Sequence, residues 1–226
     1  MGNILLANYK LIYLDKISST QIYSHKLIAD GNAVDRTVVV ANVQTAGYGR
    51  YKRKWISDNG NLYASYIYEV EHRNPTLSYS VAVAVAETLI HFGITPSIKW
   101  PNDILISGKK VCGILIEYSR HFVIIGIGIN IKSSPKNLQY ETTKLQDYAD
   151  VEQTDLIVVL IKKLEFWINK DFSIVRERWT DLAIALNDII TYRGTKAQLI
   201  GINEDGALVL RVDSKYIITY GDEISL

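Results

Sequence analysis

The sequence has little cysteine, no dominant charge and no long apolar run, and each shortage excludes a class of protein. The single cysteine, Cys112, excludes internal disulfides and a zinc site built from cysteines, and it fits a reducing compartment. A formal net charge of +1 creates no whole-molecule field that would recruit nucleic acid or an acidic membrane surface. No apolar run reaches the roughly 18 residues expected of a membrane span. The scattered histidines have no ligand spacing, so no metal site is assigned to His25, His72, His91 or His121.

The remaining composition is that of an ordinary soluble globular protein, with 48% hydrophobic and 22% charged residues. The 226 residues can bury a full core, as one large domain or as a large domain with a small one. The N-terminal stretch MGNILLANYKLIYLD is a poor signal peptide, because Lys10 interrupts it and no small-residue cleavage pattern follows. The expected location is therefore the cytoplasm, and no membrane partner is expected.

Hydrophobic periodicity and turn residues predict mixed strands and helices in the first 186 residues. Strands are predicted at 10–15, 37–43, 61–69, 97–100, 103–106, 111–118 and 121–130. Helices are predicted at 21–29, 76–92, 156–170 and 173–186, and residues 131–150 are polar and irregular. After Asn187, short strands follow at close intervals, at 189–193, 196–202, 207–212, 216–220 and 223–226. Such spacing indicates a small barrel.

One loop combines glycines with clustered cations directly after an apolar strand. It reads Gln44-Thr45-Ala46-Gly47-Tyr48-Gly49-Arg50-Tyr51-Lys52-Arg53-Lys54-Trp55. The two glycines let the backbone turn sharply and approach a ligand, and the four cations suit a phosphate-bearing anion. The final tryptophan can supply a flat apolar wall. Taken alone, such a loop is more often a solvated hairpin tip.

Three further segments carry little weight alone. Ser19-Thr20-Gln21 opens a predicted helix, where hydroxyls usually act as N-caps but can also meet a polar ligand. The second segment joins Lys99-Trp100-Pro101-Asn102-Asp103 to the run Lys110-Val111-Cys112-Gly113-Ile114-Leu115-Ile116-Glu117. The third, Gly126-Ile127-Gly128-Ile129-Asn130, ends an apolar strand, where a glycine pair usually means close backbone packing.

In this order and spacing, the four segments resemble the catalytic domain of biotin protein ligases. The likeness runs from about Lys10 to Leu226, and KWPND followed by KKVCGILIE and GIGIN is its most specific part. It implies an α+β fold of the class II synthetase type, a mixed β-sheet with helices on one side. Residues 1–186 would form the biotin- and ATP-binding ligase domain, and residues 187–226 a small SH3-like β-barrel.

The resemblance also implies an ATP-dependent reaction in two steps. The biotin carboxylate attacks the α-phosphate of ATP, so that biotinyl-5′-AMP forms and pyrophosphate leaves. A specific lysine of an acceptor, typically the biotin carboxyl carrier domain of a carboxylase, then takes the biotinyl group from AMP. ATP and Mg²⁺ are the implied cofactors, and members of the family can form homodimers through sheet edges. The first strand starts near Lys10, so we expect a short form without an N-terminal DNA-binding domain, and no nucleic-acid partner.

The site residues follow from the same resemblance. Lys110 would be the central cation between the biotin carboxylate and the α-phosphate, with Arg50 as the second catalytic residue. The residues assigned to biotin are Ser19, Thr20, Gln21, Gln44, Gly47, Tyr48, Gly49, Arg50, Lys110, Gly113 and Gly126. Those assigned to ATP are Arg50, Arg53, Trp55, Asn102, Asp103, Lys110 and Asn130. The loop from Gly47 to Lys54 is expected to order over the adenylate and exclude water from it.

Three positions depart from the pattern of the family. The family loop usually reads Gly-Arg-Gly-Arg-x-Gly-Arg, whereas this chain has Tyr48 and Lys52 at the first arginine and the third glycine. Gln21 stands where the family often has asparagine. These departures concern the details of the loop more than the reaction.

Other functions stay open at this point. A lipoate or octanoate ligase or transferase would share the fold and the acyl chemistry, although KWPND argues against it. A non-catalytic binder could sequester biotin or its adenylate, but Lys110, Arg50 and Arg53 are all present. Nucleic-acid binding through the basic loop is disfavoured by the near-neutral net charge.

Overall fold

The structure is a computed structural model that describes residues 8–136 and 138–220. The helices are α1 (Thr20–Ala29), α2 (Leu77–His91), α3 (Gln153–Ile168) and α4 (Phe172–Leu182). The strands of the main sheet are β1 (Lys10–Ile17), β2 (Thr37–Gln44), β3 (Leu62–Glu69), β4 (Pro96–Lys99), β5 (Asp103–Ile106), β6 (Lys109–Ser119) and β7 (Phe122–Ile129). The C-terminal strands are β8 (Ile189–Tyr192), β9 (Thr195–Ile202), β10 (Leu208–Val212) and β11 (Lys215–Thr219).

Seven strands form one mixed sheet in the order β1-β2-β3-β7-β6-β5-β4. The β1–β2 pair is parallel and every other pair in this sheet is antiparallel. The first five residues of β2, Thr37 to Ala41, are buried on both faces of the sheet, which explains their unbroken apolar run. The predicted α+β class with a mixed sheet is confirmed.

The two faces of the sheet are covered differently. Because successive side chains of a strand point to opposite faces, Val38 and Val40 enter the large core with α2, α3 and α4. Val39 points the other way and clusters with Ile28 of α1. The expectation of helices on one side therefore holds for the three long helices, whereas the short α1 lies on the opposite face. No helix within the described ranges is long and apolar enough to cross a membrane.

The last long helix ends four residues before its predicted end at residue 186. Ala183 is extended and forms a parallel bridge with Ile98 of β4, and the Ile184 amide donates to the Ile98 carbonyl at 2.9 Å. An edge strand offers unpaired backbone groups, and the chain satisfies them here instead of continuing the helix.

The C-terminal strands form an antiparallel sheet in the order β11-β10-β9-β8. The predicted run of closely spaced strands is present, and its final member, 223–226, lies outside the described residues. Closure into an SH3-like barrel and a domain boundary between residues 186 and 187 stay predictions.

Tyr79 of α2 connects this second sheet to the main one. Its hydroxyl donates to the Gly206 carbonyl at 2.5 Å and accepts a hydrogen bond from Trp100 Nε1 at 3.1 Å. All three groups are buried. Since Trp100 belongs to the KWPND segment, one hydroxyl joins the C-terminal sheet to a segment of the predicted site.

Replacing Tyr79 by phenylalanine should therefore destabilise the protein. The variant leaves a buried carbonyl and a buried indole N–H without their partner, which costs about 1–3 kcal/mol of unfolding free energy. Urea denaturation measures this loss, and Tyr216→Phe on the second sheet is the matched control because Tyr216 is 64% exposed. Equal stability of Tyr79→Phe and the control would contradict the role of this hydroxyl.

Candidate active site

A cleft of about 690 Å³ opens on the face of the main sheet that carries α1. On this face β7 presents Phe122 and Ile124 beneath α1 and then Gly126 and Gly128, which have no side chain. Ser65 of β3 pairs with Gly126 and extends the same surface. The change from large to absent side chains along one strand leaves the space that forms the cleft.

Most of the predicted site residues line this cleft. They are Ser19, Thr20, Gln21, Gln44, Tyr48, Gly49, Arg50, Arg53, Trp55, Asn102, Asp103, Lys110, Gly113 and Gly126. Four segments that are far apart in the sequence are thus brought to one place. A smaller cavity of about 230 Å³, beside α3 and the far end of β3, contains none of them.

Two predicted residues, Gly47 and Asn130, do not line the cleft. A Cβ at Gly47 would lie 2.6 Å from Ser57 Oγ, so this glycine permits tight packing at the base of the loop. Asn130 is buried, and its Nδ2 donates to the Thr143 carbonyl at 3.0 Å. The Asn130 Oδ1 atom is buried without a hydrogen-bond partner among the described residues, and a contact of this residue with the nucleotide stays a prediction.

The indole of Trp55 lies against a floor of bare backbone. A Cβ at Gly128 would stand 2.6 Å from Trp55 Nε1, and one at Gly113 would stand 2.8 Å from Trp55 Cζ3. The two glycines are cross-strand partners on β7 and β6. Only glycine permits this approach, so both positions are required for the ring to lie flat. The sequence predicted no role for Gly128. Because it lies two residues after Gly126 on the same strand, both glycines face the same side of the sheet.

Lys110 lies at the centre of the cleft, where its ammonium is surrounded on several sides. Nζ is 2.6 Å from Asp103 Oδ1, and it lies 5.4 Å and 5.2 Å from the ring centroids of Trp55 and Tyr140. The side chain is only 16% exposed. A register shift between β5 and β6, near Leu105, occurs at this point, and such irregularities re-aim side chains. Tyr140, which the sequence placed in an irregular segment, is a wall residue that the prediction missed.

The segment around Asn102 is held against β6 by its own polar groups. The Asn102 Nδ2 donates to the Ile114 carbonyl at 2.6 Å, and the Asn102 carbonyl accepts from the Ile114 amide at 3.1 Å. This pair of bonds fixes the turn that carries Asp103. Within the described ranges, no group of three or more His, Cys, Asp and Glu side chains is arranged to hold a metal ion.

A polar network closes the end of the cleft beside α1. Gln44 Oε1 accepts from the backbone amide of Thr20 at 2.8 Å and from its hydroxyl at 3.2 Å. The Ser65 hydroxyl donates to Gln21 Oε1 at 2.8 Å and also lies 2.9 Å from the Thr20 hydroxyl. Ser19 occupies the N-cap position of α1 but makes no side-chain capping bond. Its hydroxyl is therefore not used in the usual N-cap way, and Ser65 is a further residue that sequence reasoning missed.

Glu117 of β6 joins the loop to α1. Its Oε2 accepts hydrogen bonds from Tyr48 Oη at 2.9 Å and Gln21 Nε2 at 3.1 Å, and it lies 3.0 Å from His25 Nε2. Lys52 Nζ lies 3.7 Å from Oε1. We call these five residues the Glu117 cluster. Burial alone would raise the pKa of Glu117, but the bonds from His25, Tyr48 and Gln21 outweigh it and lower the pKa.

The contacts in the Glu117 cluster also shift the pKa of the Tyr48 hydroxyl. Burial and the bond to the Glu117 carboxylate raise the pKa of the Tyr48 hydroxyl, so it remains a donor at neutral pH. Glu117 is the last residue of the Lys110–Glu117 motif, and the sequence alone predicted no role for it. Its partners lie 65 to 96 residues away in the chain, a separation that no local pattern reveals.

The fold and the cleft define a class of ligase. The family model for the biotin/lipoate A/B protein ligase family matches residues 13–130, which include β2, β3, β5, β6, β7 and the cleft segments. The chain belongs to the biotin/lipoate A/B protein ligase family.

Individual relatives extend this comparison over nearly the whole chain. The chain is 35% identical over 241 residues to the bifunctional ligase/repressor BirA of Bacillus subtilis, covering 96% of this chain and 74% of that protein. It is 28% identical over 240 residues to the biotin–[acetyl-CoA-carboxylase] ligase of Mycobacterium tuberculosis, covering 94% and 89%. The biotin protein ligase of Aquifex aeolicus in complex with biotin and ATP superposes with a TM-score of 0.85 at 27% identity, covering 96% and 97%. The resemblance drawn from the motifs is confirmed.

Adding one methyl group to the floor should displace the indole. In Gly128→Ala the new Cβ would meet three atoms of the Trp55 ring within 3 Å, so the ring has to move. The tryptophan emission assigned to residue 55, obtained by subtracting the Trp55→Phe spectrum, should shift to longer wavelength. Gly49→Ala is the control, since its nearest neighbour is 4.0 Å away. An unshifted Gly128→Ala spectrum would contradict the placement of the ring.

The contribution of Glu117 to stability should depend on pH. Its pKa is lower in the folded protein than the ordinary value of 4.5, so the ionised carboxylate stabilises the fold above that value. This stability is lost as the pH falls through the folded pKa. The difference in unfolding free energy between the unmodified protein and Glu117→Gln should thus shrink from about pH 7 to about pH 3. A difference that stays constant or grows in acid would show that the carboxylate charge does not act this way.

Proposed function

We propose that the protein is an ATP-dependent biotin protein ligase that makes biotinyl-5′-AMP and transfers the biotinyl group to a lysine of a carrier protein. The observation that carries this proposal is the position of Lys110 in the cleft where the four motif segments meet. Relatives named as biotin ligases, and a related structure that holds biotin and ATP, support the choice of substrates.

The first step brings two anions together, and Lys110 provides the charge that makes this favourable. Its largely buried ammonium would lie between the biotin carboxylate and the α-phosphate, where it offsets their repulsion and the charge that develops on phosphorus. Asp103 holds this ammonium before ligands bind, and the incoming anions then compete for it. The aromatic rings of Trp55 and Tyr140 limit water around the same group.

The polar end of the cleft suits the ureido ring of biotin. The network of Thr20, Gln21, Gln44 and Ser65 offers both donors and acceptors, and a ureido group carries both kinds of partner. Gly126 has no side chain and leaves the cleft floor open beside this network. A Cβ at this position would lie only 2.9 Å from Gln21 Oε1. In the proposed complex this end would bind the ring, and the valeryl chain would run toward Lys110.

The opposite end suits the nucleotide. Arg50 and Arg53 would hold phosphate and adenylate oxygens, Trp55 would flank the adenine, and Asn102 and Asp103 would position the nucleotide. Mg²⁺ needs few protein ligands and keeps several waters, so the single carboxylate of Asp103 beside the phosphates fits it. When bound, Mg²⁺ supplies positive charge to the phosphate oxygens.

The remaining parts of the proposal concern the partner and the setting. The acceptor would be the biotin carboxyl carrier domain of a carboxylase, in line with the name of the mycobacterial relative. The buried free Cys112 fits a cytoplasmic location. A catalytic domain of residues 1–186, a barrel of residues 187–226 and a homodimer formed through sheet edges complete the proposal.

A lipoate ligase remains the second candidate because the family includes both activities. The polar network around Thr20, Gln44 and Ser65 favours biotin, since a dithiolane ring has no N–H groups to pair with it. A protein that only sequesters biotinyl-AMP would keep the same cleft, so only an assay of transfer separates it from a ligase.

The test is mass spectrometry of a biotin carboxyl carrier domain incubated with the protein, biotin and ATP. One lysine of the carrier should gain one biotinyl group. In Lys110→Ala the rate should fall about 10²–10³-fold, the usual loss when one electrostatic group that stabilises a transition state is removed. Lys109→Ala is the matched control, because this neighbouring lysine is half-exposed and pairs with the exposed Glu141.

The other outcomes separate the alternatives. Bound biotinyl-AMP without any transfer would indicate a sequestering protein. Neither adenylate nor transfer with biotin, together with transfer when lipoate replaces it, would establish the second candidate. An equal loss in Lys109→Ala and Lys110→Ala would contradict the central role of Lys110.

A further inference from the structure

Two positions that depart from the family pattern converge on one carboxylate. Tyr48 donates its hydroxyl proton to Glu117 at 2.9 Å, and the Lys52 ammonium lies 3.7 Å from the other oxygen of the same group. The Lys52 ammonium also lies 3.9 Å from the centroid of the Tyr48 ring. The two unusual residues therefore contact each other and share Glu117 as a partner.

Glu117 is itself fixed from the side of α1. Gln21 donates to it at 3.1 Å and His25 Nε2 lies 3.0 Å away, and both residues belong to the helix that follows Ser19. The carboxylate is only 24% exposed. A half-buried carboxylate with partners on two elements connects the loop to the helix that carries the polar end of the cleft.

The backbone of the loop explains why these contacts are needed. Tyr51 has φ of 55° and Lys52 has φ of 58°, in the left-handed region that disfavours residues with a Cβ. The family glycine at the position of Lys52 would adopt this conformation freely. Here the side chain of Lys52 reaches Glu117 and the Tyr48 ring, and these contacts offset the unfavourable backbone angle.

The loop is also closed on itself. The Gly49 amide donates to the Arg53 carbonyl at 2.8 Å, and the Trp55 amide donates to the Gly47 carbonyl at 2.9 Å. Tyr48 and Lys54 form an antiparallel bridge between these bonds. These bonds hold the hairpin together, so its contacts at Tyr48 and Lys52 act on the position of the whole loop.

We propose that Glu117 is a positioning residue that holds the 47–54 loop over the cleft before any ligand binds, with Tyr48 and Lys52 as its loop contacts. A loop that is already placed loses less conformational freedom when the ligand arrives. It also recloses readily over a bound adenylate, which slows escape of the intermediate. This last consequence rests on the proposed function, whereas the state of the loop without ligand does not.

The test is limited trypsin digestion of the ligand-free protein, since the loop contains four basic residues in positions 50–54. Tyr48→Phe and Glu117→Gln should each increase the initial rate of cleavage in the loop about tenfold, the effect of losing one hydrogen bond to a charged group. Glu69→Gln is the matched control, because Glu69 lies on the same sheet and pairs with a histidine, His121, at 3.7 Å. The control should be cleaved at the unmodified rate.

The double variant shows whether the two residues act through one contact. Tyr48→Phe combined with Glu117→Gln should be cleaved only slightly faster than Glu117→Gln alone, because the charged acceptor that makes the Tyr48 bond strong is already absent. Effects that multiply, or equal cleavage of all variants and the unmodified protein, would overturn the proposal. If Glu117→Gln lowers the melting temperature, Tyr48→Phe, which removes only one hydroxyl from the loop, decides the outcome by itself.

A second readout separates positioning from stability. Pre-formed biotinyl-AMP should leave Tyr48→Phe faster than the unmodified protein, while the melting temperatures of the two proteins agree. If the loop of Tyr48→Phe is cleaved faster but biotinyl-AMP leaves at the unmodified rate, Glu117 positions the loop only in the ligand-free protein. That result would overturn the proposed effect on retention of the adenylate. Absence of any adenylate in the unmodified protein would contradict the proposed function and leave the digestion result valid.

Discussion

The structure depends on one constraint, the absence of side chains over part of one sheet face. Along β7 the face that carries α1 presents Phe122 and Ile124 and then Gly126 and Gly128. The large residues bury α1, and the glycines beyond them leave the cleft and accept the ring of Trp55. Packing and ligand binding therefore occupy consecutive stretches of the same strand. A methyl group added at Gly126 or Gly128 would narrow the cleft without entering the large core, because that core lies on the other face.

Two lysines, one in the cleft and one on the loop beside it, each lie close to a carboxylate. The exposed Lys52 lies 3.7 Å from Glu117 of β6, whereas the largely buried Lys110 is fixed 2.6 Å from Asp103 of β5. Cations held in this way need little reorganisation when an anion arrives, which is how fixed charges stabilise a transition state better than solvent does. The four cations of the loop are a local concentration of positive charge in a chain with a formal net charge of only +1. The positive charge is local and compensated, so it suits a small anionic ligand rather than a long polyanion.

Local signals predicted the elements of the main sheet, because runs such as Thr37 to Ala41 are buried on both faces and show an unbroken apolar pattern. The end of α4 was wrong because the bond from Ile184 to Ile98 depends on a strand edge that only the folded sheet supplies. Motif order brought most of the predicted site residues to one cleft, and their roles there stay predictions. Ser65, Tyr140 and Glu117 were missed because their polar contacts join segments distant in sequence, and the burial of Asn130 outside the cleft lining has no local signature.

A residue that departs from the family pattern indicates that its contacts differ from the usual ones, but the sequence does not show which residues it contacts. Tyr48 and Lys52 stand four residues apart, and neither is explained by its neighbours in sequence. Their common partner, Glu117, lies on strand β6 of the main sheet. The positive φ of Lys52 is a backbone angle that glycine, the usual residue at this position, adopts without a steric penalty. An arginine restored at position 48 would still find Glu117, whereas a glycine restored at position 52 would relieve the backbone and lose the ion pair. The two departures therefore belong together. In this chain, contacts of Tyr48 and Lys52 with Glu117 hold the loop in the conformation that a glycine at position 52 would adopt without them.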